Sequence, residues 1–127
     1  MNTVEQKLQK IFPASSFNLI KKSLYMIDQK KYHTRTKSKP SSGAKYPFNI
    51  NPSTLDADFE VLTFGQHPNS VYIIPTNIIY QMYSDPEAYV DNHHPKIRVY
   101  TIDLDTNEAT YARGGKKINL SSYRKRL

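Results

Sequence analysis

Lysine and arginine are concentrated in one quarter of the chain, between residues 21 and 45. This segment holds eight of these cations and one acid, Asp28, so its net charge equals the +7 of the whole chain. Such side chains bind phosphate oxygens, and the counterions that they displace from a nucleic acid add affinity that is independent of base sequence. The segment therefore predicts a nucleic-acid contact, and its lack of an apolar helical face argues against a membrane partner.

Tyrosines lie among these cations. Tyr32 falls in the basic segment and Tyr46 directly follows it, and Tyr123 lies in a second group of six cations without an acid, from residue 113 to the end. Rings beside cations suit base or sugar stacking next to phosphate contacts. Arg35 could instead recognise a guanine edge. The residues predicted to bind nucleic acid are Lys21, Lys22, Arg35, Lys37, Lys39, Lys45, Tyr46, Lys116, Lys117, Arg124, Lys125 and Arg126.

Two further groups have the residue types of metal ligands. His93 and His94 are adjacent, so their side chains diverge on extended backbone, and no additional ligands occur at zinc-site spacing. Asp103 and Asp105 lie in a segment typical of a β-turn, without the Gly and Glu of a calcium loop. We interpret the histidines as a solvent-exposed loop and the aspartates as a turn, and we expect no cofactor.

Several classes of protein are excluded by what the sequence lacks. It has no cysteine, which removes disulfides, thiolate metal sites and cysteine nucleophiles. None of the glycine-containing motifs of nucleotide-binding loops or nucleophile elbows occurs. No apolar run reaches the roughly 20 residues that span a bilayer, and no signal-peptide core opens the chain. We expect a soluble cytoplasmic protein.

The length of 127 residues predicts one domain over 1–127, whose core draws on ten tyrosines and five phenylalanines. Hydrophobic periodicity predicts helices over 3–12, capped by Thr3, and over 76–83, capped by Thr76 or Asn77, with one further short turn to 89. The predicted strands are 17–27, 31–36, 46–50, 58–64, 71–74, 97–102 and 109–112. These elements predict an α+β fold with a mixed central sheet flanked by helices.

Four of these segments carry a family resemblance. They are residues 34–37 (TRTK), 46–50 (YPFNI), 58–61 (DFEV) and 71–75 (VYIIP), and residues 117–123 (KINLSSY) resemble a closing segment. In their order and spacing they resemble the PD-(D/E)XK, or restriction-endonuclease-like, superfamily from about Leu19 to Ile79. The resemblance implies a nuclease core and a DNA substrate.

The acids that this family uses are replaced here. Its active site needs an Asp on the first hairpin strand and an acid two residues before a Lys, which together hold Mg²⁺. Lys37 matches the Lys, but Arg35 occupies the acidic position and the Asp position falls near Ser23. A guanidinium has no acceptor atom and cannot bind a cation. The resemblance therefore implies that catalysis has been lost.

Three functions remain open. The leading hypothesis is a nucleic-acid-binding domain, with DNA favoured over RNA, that does not cleave. The second is a divergent Mg²⁺-dependent endonuclease with a relocated acid, in which Lys37 would be catalytic and Asp58 or Glu60 would be recruited. The third is a protein-interaction module or a subunit of a defence system. A homodimer is an open alternative to a monomer.

Overall fold

The computed structural model describes residues 2–111 and 117–127. Within these ranges, the helices are α1 (Thr3–Ile11) and α2 (Thr76–Tyr83). The strands are β1 (Phe17–Lys21), β2 (Leu24–Ile27), β3 (Lys30–Lys37), β4 (Lys45–Ile50), β5 (Phe59–Phe64), β6 (Ser70–Pro75), β7 (Arg98–Asp103), β8 (Glu108–Tyr111), β9 (Ile118–Asn119) and β10 (Arg124–Arg126).

The described strands form two sheets. The main sheet has the order β1-β2-β3-β5-β6-β10, and the second sheet has the order β4-β7-β8-β9. In the main sheet β3 and β5 are parallel, whereas the other described neighbours are antiparallel. The fold is therefore α+β with a mixed main sheet, as predicted, whereas the separate second sheet was not predicted.

The main sheet is covered on both faces. Leu8 of α1 packs with Tyr25, Val61 and Val71 on one face. On the other face, the second sheet and α2 bury a larger core. Its members include Leu62, Phe64, Tyr72, Ile74, Tyr46, Phe48, Tyr100, Ile79 and Met82. Because β5 and β6 are covered on both sides, their apolar residues follow one another without strict alternation.

The first hairpin differs from its prediction. Residues 17–27 form two antiparallel strands rather than one, because the chain reverses at Lys22 and Ser23, where Ser23 has φ 66°. The predicted reversal after β2 is confirmed: Asp28 and Gln29 have φ 49° and 69° and form the short turn into β3. Two successive residues with positive φ match the twist of a tight hairpin.

The predicted helix caps were wrong, although both helices were placed correctly. The Asn2 side chain, rather than Thr3, accepts the hydrogen bond from the Glu5 N–H. The helix α2 follows Pro75 directly and has no side-chain cap. The further short turn predicted before residue 89 is found as a non-helical turn: the Ala88 N–H donates to the Asp85 carbonyl oxygen at 3.0 Å, and the Asp85 carboxylate accepts the Glu87 N–H.

The basic tail predicted at residues 124–126 is a strand. β10 pairs with β6 and places Arg124 opposite Tyr72. Neither α-helix in the described ranges is long and apolar enough to cross a bilayer.

Gly65, which directly follows β5, is hydrogen-bonded to the last residue of β3. Its N–H donates to the Lys37 carbonyl oxygen at 2.9 Å, and a Cβ on residue 65 would collide with the Ser38 backbone. The absence of a side chain therefore lets the loop after β3 approach β5 closely.

We expect Gly65→Ala to lower the free energy of unfolding by about 1–3 kcal/mol, because the backbone of residue 38 must move to admit the new methyl group. Urea denaturation measures the change. Ser42→Ala, at an exposed position of the same loop, is the control and should change stability by less than about 0.5 kcal/mol. Equal effects of the two substitutions would contradict the close approach.

Tyr111 is predicted to make stability sensitive to alkaline pH. Its hydroxyl donates to the Met82 carbonyl oxygen, and burial, with a smaller contribution from the Asp85 charge, raises the pKa of Tyr111 to about 12. In the unfolded chain the pKa is about 10. The contribution of the neutral phenol is therefore present below about pH 10 and is lost as pH rises towards 12. Urea unfolding between pH 9 and 12 should show a shallower decline for Tyr111→Phe than for the wild type. Parallel declines would contradict this assignment.

Candidate nucleic-acid interface

One face of β3 carries a row of polar side chains at alternate positions. These residues are Lys31, His33, Arg35 and Lys37. Alternate residues of a strand share one face, and their partners on β5 place this row on the same side of the sheet as Leu62 and Phe64. We call these four residues the β3 row. The intervening Tyr32 lies in the core beneath α1.

A buried carboxylate holds the middle of the β3 row. Glu60 of β5 lies directly opposite His33 in the parallel ladder and is 1% exposed. Its Oε2 is 2.8 Å from His33 Nδ1, and its Oε1 accepts from Arg35 Nη2 at 3.3 Å. A buried carboxylate is costly unless it is paired and hydrogen-bonded. His33 and Arg35 meet that requirement, and their contacts with Glu60 fix the orientation of both side chains.

The Glu60 cluster extends into the core on one side. Burial raises the pKa of Tyr100, and the Glu60 charge adds to this rise while the Arg35 charge opposes it. Tyr100 is therefore neutral at physiological pH, and it is buried in the core between the main and second sheets. The row is open to solvent on its other side, since His33 and Arg35 keep 19% and 23% of their side-chain surface exposed.

Two contacts attach the segment between β4 and β5 to this face. Arg35 Nη2 donates to Thr54 Oγ1 at 2.9 Å, and Lys21 Nζ lies 3.4 Å from Asp56 Oδ2. Partial desolvation raises the pKa of Asp56, but the hydrogen bond and charge of Lys21 outweigh it, and the net pKa is lowered. The Lys21–Asp56 pair is solvent-exposed and therefore contributes little to stability.

A groove of about 380 Å³ lies beside the far end of the β3 row. It is lined by Arg35, Thr36, Lys37, Pro47, Phe48 and Asn49. Among the described strands β4 pairs with β7 alone, so β4 is an edge of the second sheet. Pro47 suits an edge strand because it has no N–H to donate. The groove therefore runs between the cations of β3 and an open strand edge.

The structure gathers only some of the cations predicted to bind nucleic acid. Lys21, Arg35 and Lys37 belong to the same side of the main sheet. Lys22 lies in the β1–β2 turn and Lys39 in the loop after β3, and both are exposed. Lys45 is exposed at the start of β4 and lines a different groove, on the second sheet.

The stacking role predicted for Tyr46 is wrong. Tyr46 is fully buried, and its hydroxyl is 2.8 Å from His67 Nδ1. The alternation of β4 turns Tyr46 and Phe48 into the core, so neither ring can reach a base. Tyr32 is buried as well. Tyr123 is only partly buried and lines a separate pocket near α1.

The C-terminal cations form a separate group. Arg124 is not free to contact a phosphate as predicted, because its guanidinium donates to the Leu104 carbonyl, the Asn107 side chain and Ser70 Oγ at 2.7–2.9 Å. Lys117, Lys125 and Arg126 are exposed, and Lys116 lies outside the described residues. Since β5 and β6 lie between β10 and β3 in the main sheet, these two strands are about 14 Å apart.

The acids considered for a metal site are engaged elsewhere. The Asp28 carboxylate accepts from Ser15 Oγ at 2.5 Å, and Asp58 Oδ2 accepts from the Lys31 N–H at 2.8 Å. In residues 2–111 and 117–127 no three His, Asp or Glu side chains form a group that could hold a metal ion. Glu60 is near Arg35, but its two oxygens already contact His33 and Arg35.

The histidine pair lies in a loop and the aspartate pair lies in a turn, as predicted. His93 and His94 are exposed in the loop before β7. The Asp103 carboxylate accepts the Asp105 N–H at 2.9 Å, as in a side-chain-stabilised turn.

Comparison with known proteins yields no relative: no family model, curated protein or solved structure matches the chain. The resemblance to PD-(D/E)XK nucleases stays a prediction, and the site is interpreted from its own residues.

His33, Lys31 and Glu60 belong to this polar cluster but were not among the residues predicted to bind nucleic acid. The alternation of Lys, His, Arg and Lys through residues 31–37 was a signal that could have identified the first two. Glu60 is the one ionisable residue of the largely apolar strand β5, which indicates a buried charge that requires partners.

We expect Glu60→Ala to lower the free energy of unfolding by about 3 kcal/mol, since removing one member of a buried ionic group leaves its partners uncompensated. Chemical denaturation at neutral pH measures the change. Glu87→Ala, at an exposed position, should change stability by less than about 0.5 kcal/mol. A small effect of Glu60→Ala would show that the cluster does not hold the β3–β5 pair.

Proposed function

We propose that this chain binds nucleic acid along the β3 row. The observation that carries the proposal is the fixed spacing of Lys31, His33, Arg35 and Lys37 on one face of one strand. Alternate residues on a strand lie about 6.6 Å apart, so the row presents donors at regular intervals to an extended polyanion. Lys31, Arg35 and Lys37 contribute three of the positive charges in the basic segment of residues 21–45, whose net charge equals that of the whole chain.

The members of the row contribute in different ways. Lys31 and Lys37 are exposed, and Lys21 of β1 is exposed on the same side of the sheet. These three ammonium groups supply the attraction to phosphates. Arg35 is partly neutralised by Glu60 and positioned by Thr54. Its remaining N–H groups border the groove, where a guanidinium in fixed orientation suits phosphate or a guanine edge.

The row treats the phosphates of DNA and RNA alike. The family resemblance favours DNA, and both nucleic acids belong in the same binding experiment. Arg124 is not part of this proposal because its Nη1 and Nη2 atoms donate hydrogen bonds within the fold.

Binding of a labelled oligonucleotide, followed by fluorescence anisotropy across a salt series, tests this function. Three lysine–phosphate contacts predict a slope of about −3 for log K against log salt, and Lys37→Ala should reduce its magnitude by about 1. Lys10→Ala is the matched control, since Lys10 is exposed on α1, which covers the opposite face of the main sheet. A flat salt dependence, or equal effects of the two substitutions, would refute the proposal.

A further inference from the structure

His33 is arranged as an acid–base group. Its Nδ1 is 2.8 Å from Glu60 Oε2. An ionised carboxylate only accepts hydrogen bonds, so Nδ1 carries the proton and Nε2 of the neutral ring holds a free lone pair. In the described part of the chain Nε2 has no hydrogen-bond partner among the contacts of His33.

The cost of the Glu60 cluster supports a functional role. Replacing a buried ionic group by apolar residues of similar size is often neutral or stabilising. Leu62 and Phe64 occupy equivalent inward positions on the same strand, so an apolar residue would suit this layer. Glu60 instead orients an imidazole and a guanidinium towards an open face.

We propose that His33 is the general base of a metal-independent ribonuclease, an activity that rests on the proposed nucleic-acid binding. Arg35 and Lys37 would contact the non-bridging oxygens of one phosphate in the groove beside them. Glu60 is a positioning residue that fixes the ring and its tautomer. His33 precedes Arg35 by one alternate position on the same face of β3, next to the residues that line this groove.

The reaction is an internal transfer within the RNA. His33 Nε2 takes the proton of a ribose 2′-hydroxyl, and O2′ forms a bond to the adjacent phosphorus. The bond from phosphorus to O5′ breaks, and O5′ takes a proton from water. The imidazolium then returns its proton to the hydroxide left behind. The products are a 2′,3′-cyclic phosphate and a 5′-hydroxyl, without oxidation, reduction or a co-reactant.

This chemistry selects RNA over DNA. The nucleophile is the 2′-hydroxyl of the substrate, which DNA lacks. Hydrolysis of DNA needs an activated water, usually generated by a metal ion. The site therefore points to RNA, whereas the family resemblance favours DNA.

Incubation of the protein with labelled single-stranded RNA of random sequence, in EDTA, tests the activity. The expected products are RNA fragments with 2′,3′-cyclic phosphates, identified by mass spectrometry. His33→Ala should lower the rate by about 10²–10⁴-fold, and added imidazole should restore part of it, which a purely structural role would not produce. His93→Ala, an exposed histidine of the loop before β7, should cleave like the wild type.

Binding to the same RNA with 2′-O-methyl groups, measured in parallel, separates the two proposals. Tight binding by both the wild type and His33→Ala, together with no cleavage of unmodified RNA, overturns the ribonuclease and leaves the binding function intact. If the wild-type protein does not bind this RNA, both the binding proposal and the ribonuclease proposal are overturned. Cleavage that requires Mg²⁺, cleavage of DNA in EDTA, or unchanged cleavage by His33→Ala also overturns the ribonuclease.

Discussion

The pairing of β3 with β5 is the interaction on which the described site depends. This parallel ladder joins a basic strand to an apolar one and places His33 opposite Glu60. Glu60 is too deeply buried to be hydrated, so it needs hydrogen-bond donors from its neighbour. Because the ladder places His33 and Arg35 within reach, the carboxylate is hydrogen-bonded and both side chains acquire one orientation. Packing and chemistry are thus set by the same strand register.

Local signals in the sequence were sufficient for much of the fold. The apolar spacing placed both helices, and the predicted strands 17–27 and 31–36 left a short reversal where the structure has the Asp28–Gln29 turn. The second sheet was not predicted, because the antiparallel pairing of β4 with β7 joins residues about 50 positions apart. Local sequence patterns do not predict a pairing between strands so far apart in the chain. The caps failed for a smaller reason, since Thr3 and Asn2 are both suitable capping types.

The site was only partly predictable for the same reason. Charge density alone identified the basic segment, but it could not show which cations lie on one face or which are consumed by the fold. Tyr46 and Arg124 have the chemistry of nucleic-acid contacts, and tertiary structure uses both internally. Glu60 was considered only as a displaced metal ligand. The structure shows that Glu60 lies on the strand next to β3 and that its two oxygens contact His33 and Arg35.

The long-range nature of the β3–β5 ladder has a kinetic consequence. The ladder joins residues 27 positions apart and is parallel, so the chain must close a long loop, which includes β4, before His33 meets Glu60. Loops of this kind form slowly, because their entropy is lost before their contacts are gained. The hairpins of β1, β2 and β3 need no such closure. We therefore expect the β1–β2–β3 hairpins to form before β3 pairs with β5. His33 and Arg35 then gain their fixed orientation only when the central sheet forms.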